Sequence, residues 1–171
     1  DEATSKIREA YKQHITKMFE LAGFSAEDAA KSSKDVYAIE YALAQAFLSP
    51  VELRDPRANY NITNRADLKS TYDAIDWDAL LKGLDLAEVE SMDLGQPRAM
   101  AAVNDLLKKQ PLAAHQAYLQ WNVINTAASY LSDDFISQNF EFFGKVMTGV
   151  EKMQPRWKRA VSSVNGALGE A

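Results

Sequence analysis

Apolar residues recur along most of this chain at the three- and four-residue spacing of an α-helix, and this periodicity constrains the fold more than any other feature. The first stripe consists of Ile7, Tyr11, Ile15, Met18 and Leu21. Residues with this spacing lie on one face of a helix. The pattern predicts a helix that ends near Ala22, where Gly23 interrupts it.

A second helix is predicted from Ser25 to about Leu48. Ser25 has the side chain of an N-cap, and Glu27 and Asp28 in the first turn interact favourably with the helix dipole. Pro50 ends the helix, because the residue before a proline is disfavoured in the helical conformation. The stripe of this helix comprises Val36, Ile39 or Glu40, Leu43 and Phe47. The two helices are expected to form an antiparallel pair.

Six further helices are predicted after the loop of residues 50–61, each from a polar or proline residue followed by helical periodicity. They run from Thr63 or Asn64 to about Tyr72, from Asp76 to about Leu84, from Pro97 onward, from Pro111 to Leu131, from Ser132 to Gly149, and from Pro155 onward. The fourth of them carries the apolar set Leu112, His115, Tyr118 or Leu119, Val123 and Tyr130. Residues 87–96 are the only segment expected to be extended. The sequence thus predicts an all-α fold, one domain over residues 1–171 with about seven to eight helices.

Charge balance and composition exclude several classes of function. The 171 residues include 19 Lys and Arg against 24 Asp and Glu, and the net charge of −5 argues against binding through phosphate contacts. The absence of cysteine excludes disulfides and thiolate metal ligands. No apolar run approaches the roughly 20 residues that span a bilayer. We therefore expect a globular segment that contacts neither nucleic acid nor membrane.

The two histidines, His14 and His115, do not form a metal-binding pattern. Neither has a second histidine three or four residues away, so the zinc-binding motif HExxH is absent. His14 is expected to pack on a helix face beside Tyr11 and Met18, and His115 to be partly buried and hydrogen-bonded. We expect neither of them to bind a metal.

Glu40 lies on the apolar stripe of the second helix, where a charge needs a partner to offset its desolvation. Arg54 or Arg57 in the following loop could supply that partner. We favour a structural ion pair that holds the loop against the helices. The alternative is a poised general acid or base.

The basic cluster PRWKRA at residues 155–160 raises two alternatives. It could contact nucleic acid, which the acidic chain disfavours. Alternatively, Pro155 starts a helix and Trp157 packs inward as a structural residue, while the neighbouring cations stay near the surface. We favour the second alternative.

Several stretches, taken in order, carry a resemblance that covers essentially the whole chain. They are YKQHITKMFELAGF, IEYALA, VELRDPRANYN, IDWDALL, GQP, YLQWNVIN, YLSDDF and FEFFGKVMTGVEKMQPRWKRAVSSVNGALGEA. They resemble the neprilysin-like zinc metallopeptidases, in particular the bacterial oligopeptidase O branch, and the segment from FGK to PRWKRAV is the most specific part. The lack of cysteine is also similar to that branch, because the animal ectodomains are rich in disulfides.

The resemblance implies a position within a longer enzyme. Family members are several times longer, and this stretch corresponds to the helical lid domain, whose last helix runs on towards the catalytic domain. The HExxH zinc site, the third ligand in an ExxxD segment and the Asn-Ala substrate motif all lie downstream. The resemblance therefore implies zinc in the parent enzyme, none bound by this segment, and no catalytic or metal residue here. The parent would hydrolyse peptide bonds with zinc-activated water.

The resemblance also implies partners and a location. The lid would enclose the active-site chamber together with the catalytic domain of the same polypeptide, so that only short peptides enter. Bacterial relatives are commonly extracytoplasmic, either periplasmic, secreted or lipid-anchored, with a cytoplasmic location as the alternative. A free-standing helical protein-protein interaction module remains the alternative function.

Overall fold

The structure, a computed structural model, describes residues 2–169. Eight α-helices are present in that part of the chain, and the predicted all-α class is confirmed. They are α1 (Glu2–Leu21), α2 (Ala26–Ala46), α3 (Arg65–Thr71), α4 (Trp77–Gly83), α5 (Pro97–Lys109), α6 (Leu112–Ala127), α7 (Asp133–Asn139) and α8 (Arg156–Leu168). Glu170 and Ala171, through which the last helix was expected to continue, lie outside the described residues.

Two short strands form the only sheet among the described residues. β1 (Ile62–Asn64) pairs antiparallel with β2 (Ser91–Asp93), with Thr63 opposite Met92. β2 lies within the segment that was predicted to be extended. β1 was not predicted, because its last residue was interpreted only as a helix cap. Asn64 serves both roles, since its side chain also accepts a hydrogen bond of 2.8 Å from the backbone N–H of Asp67 at the start of α3.

Polar caps explain where several helices begin. The Ser25 hydroxyl accepts a hydrogen bond from the N–H of Asp28 at 3.1 Å, and Asp76 accepts one from the N–H of Ala79 at 3.0 Å. These two predicted caps are confirmed. Ser132 occupies the N-cap position of α7, as predicted, but its side chain makes no capping hydrogen bond. The two neighbouring acidic residues of the first turn still favour a helix there through the dipole.

The chain groups into two compact units. Unit 1 comprises residues 1–33 and 121–171, and unit 2 comprises residues 34–120. The prediction of one domain over residues 1–171 stays a prediction. None of the helices within residues 2–169 is long and apolar enough to cross a membrane.

Unit 1 is organised around α1, which packs against α7 and a π-helical segment, Phe140–Val146. His14, Ile15, Met18 and Phe19 of α1 are buried. The stripe predicted for α1 is therefore largely confirmed. The hydroxyl of Ser33 donates to the backbone carbonyl of Lys12 at 2.9 Å, which ties the first part of α2 to α1 within this unit.

Unit 2 has a separate small core. It consists of Leu68, Tyr72, Trp77 and Leu94, with Ile75, Met92 and Met100 packed around it. The indole N–H of Trp77 donates to the carbonyl of Tyr72 at 3.0 Å, so its polar atom is satisfied inside the core. The buried Asn104 accepts a hydrogen bond of 2.8 Å from the N–H of Ala74. These bonds fix the turn between α3 and α4.

The helix α6 was recognised from its periodicity, but its buried face was assigned wrongly. Most residues of its predicted pattern are exposed, namely Leu112, Leu119, Val123 and Tyr130, whereas His115 and Tyr118 are partly buried. The buried residues are Ala114, Ala117 and Trp121, followed by Ala128 just after the helix. Small alanine side chains let a helix approach its neighbours closely, and a search for large apolar residues does not detect this kind of packing.

Candidate functional site

The first candidate position, His14, lies inside an aromatic cage in unit 1. It is 1% exposed, and its ring stacks on Phe142 with 5.0 Å between centroids and 13° between planes. Trp121 and Phe143 contact it edge-on at 5.6 and 5.5 Å. The π-helical segment places two adjacent phenylalanines, Phe142 and Phe143, on this one histidine. His14 therefore packs in the core, beside Tyr11 and Met18 as the sequence predicted.

The cage also sets the protonation of His14. Its Nδ1 lies 3.2 Å from the side-chain nitrogen of Gln138, while its buried Nε2 has no hydrogen-bond partner among the described residues. Burial lowers the pKa of His14 to about 4, because the charged imidazolium is poorly solvated among aromatic rings. At neutral pH the imidazole is therefore uncharged.

No cluster of zinc ligands is found in the part of the chain that the structure describes. Within residues 2–169 there is no group of three or more His, Asp or Glu side chains that could hold a metal ion. A protein zinc site needs three or four such ligands around one point. His115 is partly buried, as expected, and its Nε2 has no hydrogen-bond partner among the described residues. No step of metal chemistry can be derived from these side chains.

The predicted partners of Glu40 lie in the loop after α2. Glu40 is partly buried, whereas Arg54 and Arg57 are exposed. The backbone N–H of Arg57 donates to the carboxylate of Asp55 at 2.9 Å, which shapes the loop locally. The ion pair of Glu40 with either arginine stays a prediction.

The residue that ties the end of α2 to another helix was not predicted. Arg98 of α5 donates to the carbonyl of Ala46 from Nε and to that of Phe47 from Nη2, both at 2.7 Å. Its Nη1 also lies 3.9 Å from the carboxylate of Glu52 in the loop. The last carbonyls of a helix lack partners within the helix, so a guanidinium satisfies them well. The sequence indicated only that the last carbonyl groups of α2 need hydrogen-bond donors, and it did not indicate which residue supplies them.

Trp157 was predicted to pack inward, and this prediction is wrong. The side chain is 64% exposed, and the ammonium of Lys158 lies 5.4 Å from the centroid of its ring. No residue of α8 is buried. The large apolar side chains of α8 are all exposed: Trp157, Val161, Val164 and Leu168. Of these four residues only Trp157 was singled out from the sequence, and the part of the chain that the structure describes leaves all four more than half exposed.

An open groove of about 1280 Å³ lies in unit 1 between α8 and the residues that precede it. Its walls include Tyr130, Phe140, Phe143, Gly144, Arg156 and Val164. Across the groove, the Tyr130 hydroxyl lies 3.3 Å from that of Ser163 in α8. Gly144 belongs to the π-helical segment, and a Cβ there would clash with the ring of Phe140. The groove was not predicted from the sequence, although residues 140–144, FEFFG, form part of one wall.

Exposed ion pairs between residues of unit 2 form two further charged clusters. Arg65 donates from Nε to Asp78 at 2.9 Å, and Lys69 lies 2.5 Å from the same carboxylate. Hydrogen bonds from Lys69 and Arg65 lower the pKa of Asp78, and a hydrogen bond from Lys108 lowers the pKa of Asp73. Such pairs hold neighbouring helices together at the surface and contribute little individually. They do not converge on a cavity.

Comparison with known proteins relates this fold to peptidases. The sequence model of Peptidase family M13 matches residues 1–171. Endothelin-converting enzyme 1 of Bos taurus is 26% identical over 97% of this chain and 23% of its own length. Neprilysin-2 of Drosophila melanogaster is 27% identical, with 94% of this chain and 21% of its own length covered. The neutral endopeptidase of Lactobacillus helveticus is 24% identical, with shares of 97% and 26%.

Solved structures give the same result. The zinc metalloprotease Zmp1 of Mycobacterium tuberculosis in its open state is 28% identical, with a TM-score of 0.89 over 99% of this chain and 27% of that protein. Its complex with an inhibitor gives a TM-score of 0.90 at 28% identity, with shares of 99% and 26%. The chain thus spans about a quarter of the length of the relatives it matches. With the family model matched from the first residue to the last, this chain belongs to peptidase family M13.

Proposed function

We propose that this chain is the non-catalytic helical lid of a zinc-dependent metalloendopeptidase, where it encloses the active-site chamber and restricts substrates to short peptides. One observation carries the proposal: 99% of the chain superposes on about a quarter of a zinc metalloprotease, with a TM-score of 0.90. The rest of the enzyme would hold the zinc and the groups that cleave the peptide bond. The partners of this segment would be the catalytic domain of the same polypeptide and peptide substrates.

The side chains of this segment support a role without chemistry. Its most perturbed titratable group, His14, is enclosed by aromatic rings and neutral at pH 7. The three carboxylates with lowered pKa values, Glu52, Asp73 and Asp78, are exposed and lie beside cations. A general acid or base needs access to substrate and a pKa near the working pH, and none of these groups has both.

A lid function requires an enzyme that opens and closes. Zmp1 structures represent an open state and a partially open state, so at least one relative populates such states. Closure of a domain over an active site excludes water and large substrates, and it often limits turnover. A cavity closed by a helical lid would accept a flexible peptide and exclude a folded protein. We further propose that the parent enzyme is bacterial and lies outside the cytoplasm.

The test compares the 171-residue chain with the longer polypeptide from the same reading frame. We expect the longer polypeptide to bind zinc stoichiometrically and to cleave a short quenched peptide until a chelator is added. It should leave the same peptide sequence uncut when that sequence sits in a loop of a folded carrier protein. The 171-residue chain alone should neither bind zinc nor cleave. Chelator-sensitive cleavage by this chain alone would disprove the proposal.

The alternative of a free-standing interaction module has one observation in its favour, the uncovered apolar face of α8. It predicts that the reading frame ends close to Ala171 and that the purified chain forms a stable complex with a separate protein. A reading frame that continues into an HExxH segment excludes it.

A further inference from the structure

The helix α8 is stabilised by very little in the described part of the chain. It has 13 residues, none of them buried. Isolated helices shorter than about 12–15 residues are marginal in water, and most helices in proteins depend on packing of an apolar face. Its described tertiary hydrogen bond, between Ser163 and Tyr130, lies at the exposed surface. A helix of this length therefore needs another surface to pack against.

The apolar face of α8 has the form of a docking stripe. We define the α8 stripe as Trp157, Val161, Val164 and Leu168, which are 64%, 51%, 53% and 82% exposed. Their spacings of four, three and four residues place all four on one side of the helix. Contiguous exposed apolar surface of this kind marks an interaction site in most proteins.

The charges beside the stripe all have one sign. Arg156, Lys158 and Arg159 lie in the first turn of α8, and residues 156–168 contain no Asp or Glu. A complementary surface would be apolar at its centre and acidic at its edge, because opposite charges at an interface rim favour the correct partner. The groove beside α8, whose wall includes Val164 of the stripe, exposes Phe143 and Val150 as further apolar surface.

We propose that the α8 stripe is the surface on which another segment of the same longer polypeptide docks, through an amphipathic helix with acidic residues beside its apolar face. This inference rests on the proposed function in one respect, because it requires the chain to be part of a longer polypeptide. The relatives supply the length for such a segment, since about three quarters of each lies outside the matched region. A second copy of this chain is the competing occupant.

The absence of cysteine allows a direct test. Val161→Cys places a thiol on the α8 stripe, and Ser162→Cys places one about 100° around the same helix as a matched control. Each variant is made in the longer polypeptide and in the 171-residue chain, and labelling by a maleimide is followed by mass spectrometry of the peptide. In the longer polypeptide the ratio of the Val161→Cys rate to the Ser162→Cys rate should fall at least tenfold relative to the same protein in urea. In the 171-residue chain the ratio should change less than threefold.

Substitutions of Lys158 test whether the docking segment carries acidic residues beside its apolar face. Lys158→Glu, added to Val161→Cys in the longer polypeptide, should raise the native labelling rate severalfold, whereas Lys158→Ala should have a smaller effect. Equal effects of the two substitutions would remove the acidic edge from the proposal.

Three results would overturn the inference. One is an unchanged labelling ratio in the longer polypeptide. Another is concentration-dependent dimerisation of the 171-residue chain with protection of Val161→Cys, which would identify a second copy as the occupant. The third is a reading frame that ends at Ala171.

Peptidase activity measured on the same samples separates this inference from the proposed function. An active but unprotected enzyme refutes only the docking, and a protected but inactive one refutes only the peptidase assignment.

Discussion

The helices α1 and α8 have similar apolar patterns and opposite environments. In α1, His14, Ile15, Met18 and Phe19 are at most 1% exposed, whereas every large apolar residue of α8 is more than half exposed. Periodicity determines which face of a helix is apolar, but the free energy of burial depends on what covers that face. α1 is therefore expected to carry much of the stability of unit 1, and α8 to carry almost none until a partner is present.

The largest expected effect comes from truncating α1. Phe19→Ala removes a fully buried ring that packs edge-on against Phe24 at 5.0 Å and lies 6.4 Å from Trp121. The cavity should lower the free energy of unfolding by about 3–5 kcal/mol. The measurement is urea denaturation followed by circular dichroism. A loss below about 1 kcal/mol, the size typical of an average substitution, would show that α1 is not the central helix of unit 1.

The next effect is a dependence of stability on pH that originates in α1. The pKa of His14 is about 4 in the folded protein, against the ordinary value of 6.5 for a histidine. Because the unfolded chain then binds more protons, stability is fully present above about pH 6.5 and falls as the pH drops towards 4. The full loss would be about 3 kcal/mol. His14→Phe, which keeps an aromatic ring in the cage, should flatten this part of the curve in denaturation measured from pH 7 to 4. An equal slope in the variant would assign the dependence to other groups.

Alanine substitutions at two glycines test the difference in packing between the wall of the groove and α8. In Gly144→Ala the new methyl group would clash with the ring of Phe140, so we expect a loss of about 1–3 kcal/mol from overpacking. At Gly166 in α8, a Cβ would meet no tertiary neighbour within 4 Å. Gly166→Ala should therefore stabilise α8 slightly through helix propensity, by up to about 1 kcal/mol. Thermal unfolding of both variants decides this, and equal losses at the two sites would contradict the difference in packing.

The sequence predicted the helices well because local physics specifies them. The periodicity of α1, the caps Ser25 and Asp76, and the proline at the start of α5 depend on residues close together in sequence. The same reasoning failed where tertiary partners decide. It assigned the large residues of α6 to the buried face, whereas Ala114 and Ala117 pack there. It did not predict β1, because its partner β2 lies nearly thirty residues away along the chain.

The candidate site was less predictable than the fold. Trp157 was expected to be buried because Trp is highly buried on average, but it is 64% exposed, and the local sequence does not specify which residues cover it. Arg98 was missed since its contacts with Ala46 and Phe47 span about fifty positions. Family membership was recognised instead from similarity along the whole chain, which does not depend on any single residue.

The smallest expected effect is also the one that tests the comparison of α1 with α8 most directly. Trp157→Ala removes the largest side chain of the α8 stripe, and an exposed residue of this kind should change the free energy of unfolding of the 171-residue chain by less than about 0.5 kcal/mol. In the longer polypeptide the same substitution should lower stability by about 3–5 kcal/mol, as for a buried aromatic residue. Urea denaturation of both proteins, each compared with its own unsubstituted form, gives the two values. A large loss in the 171-residue chain would mean that α8 already packs against unit 1 in solution, and α1 and α8 would then differ in degree rather than in kind.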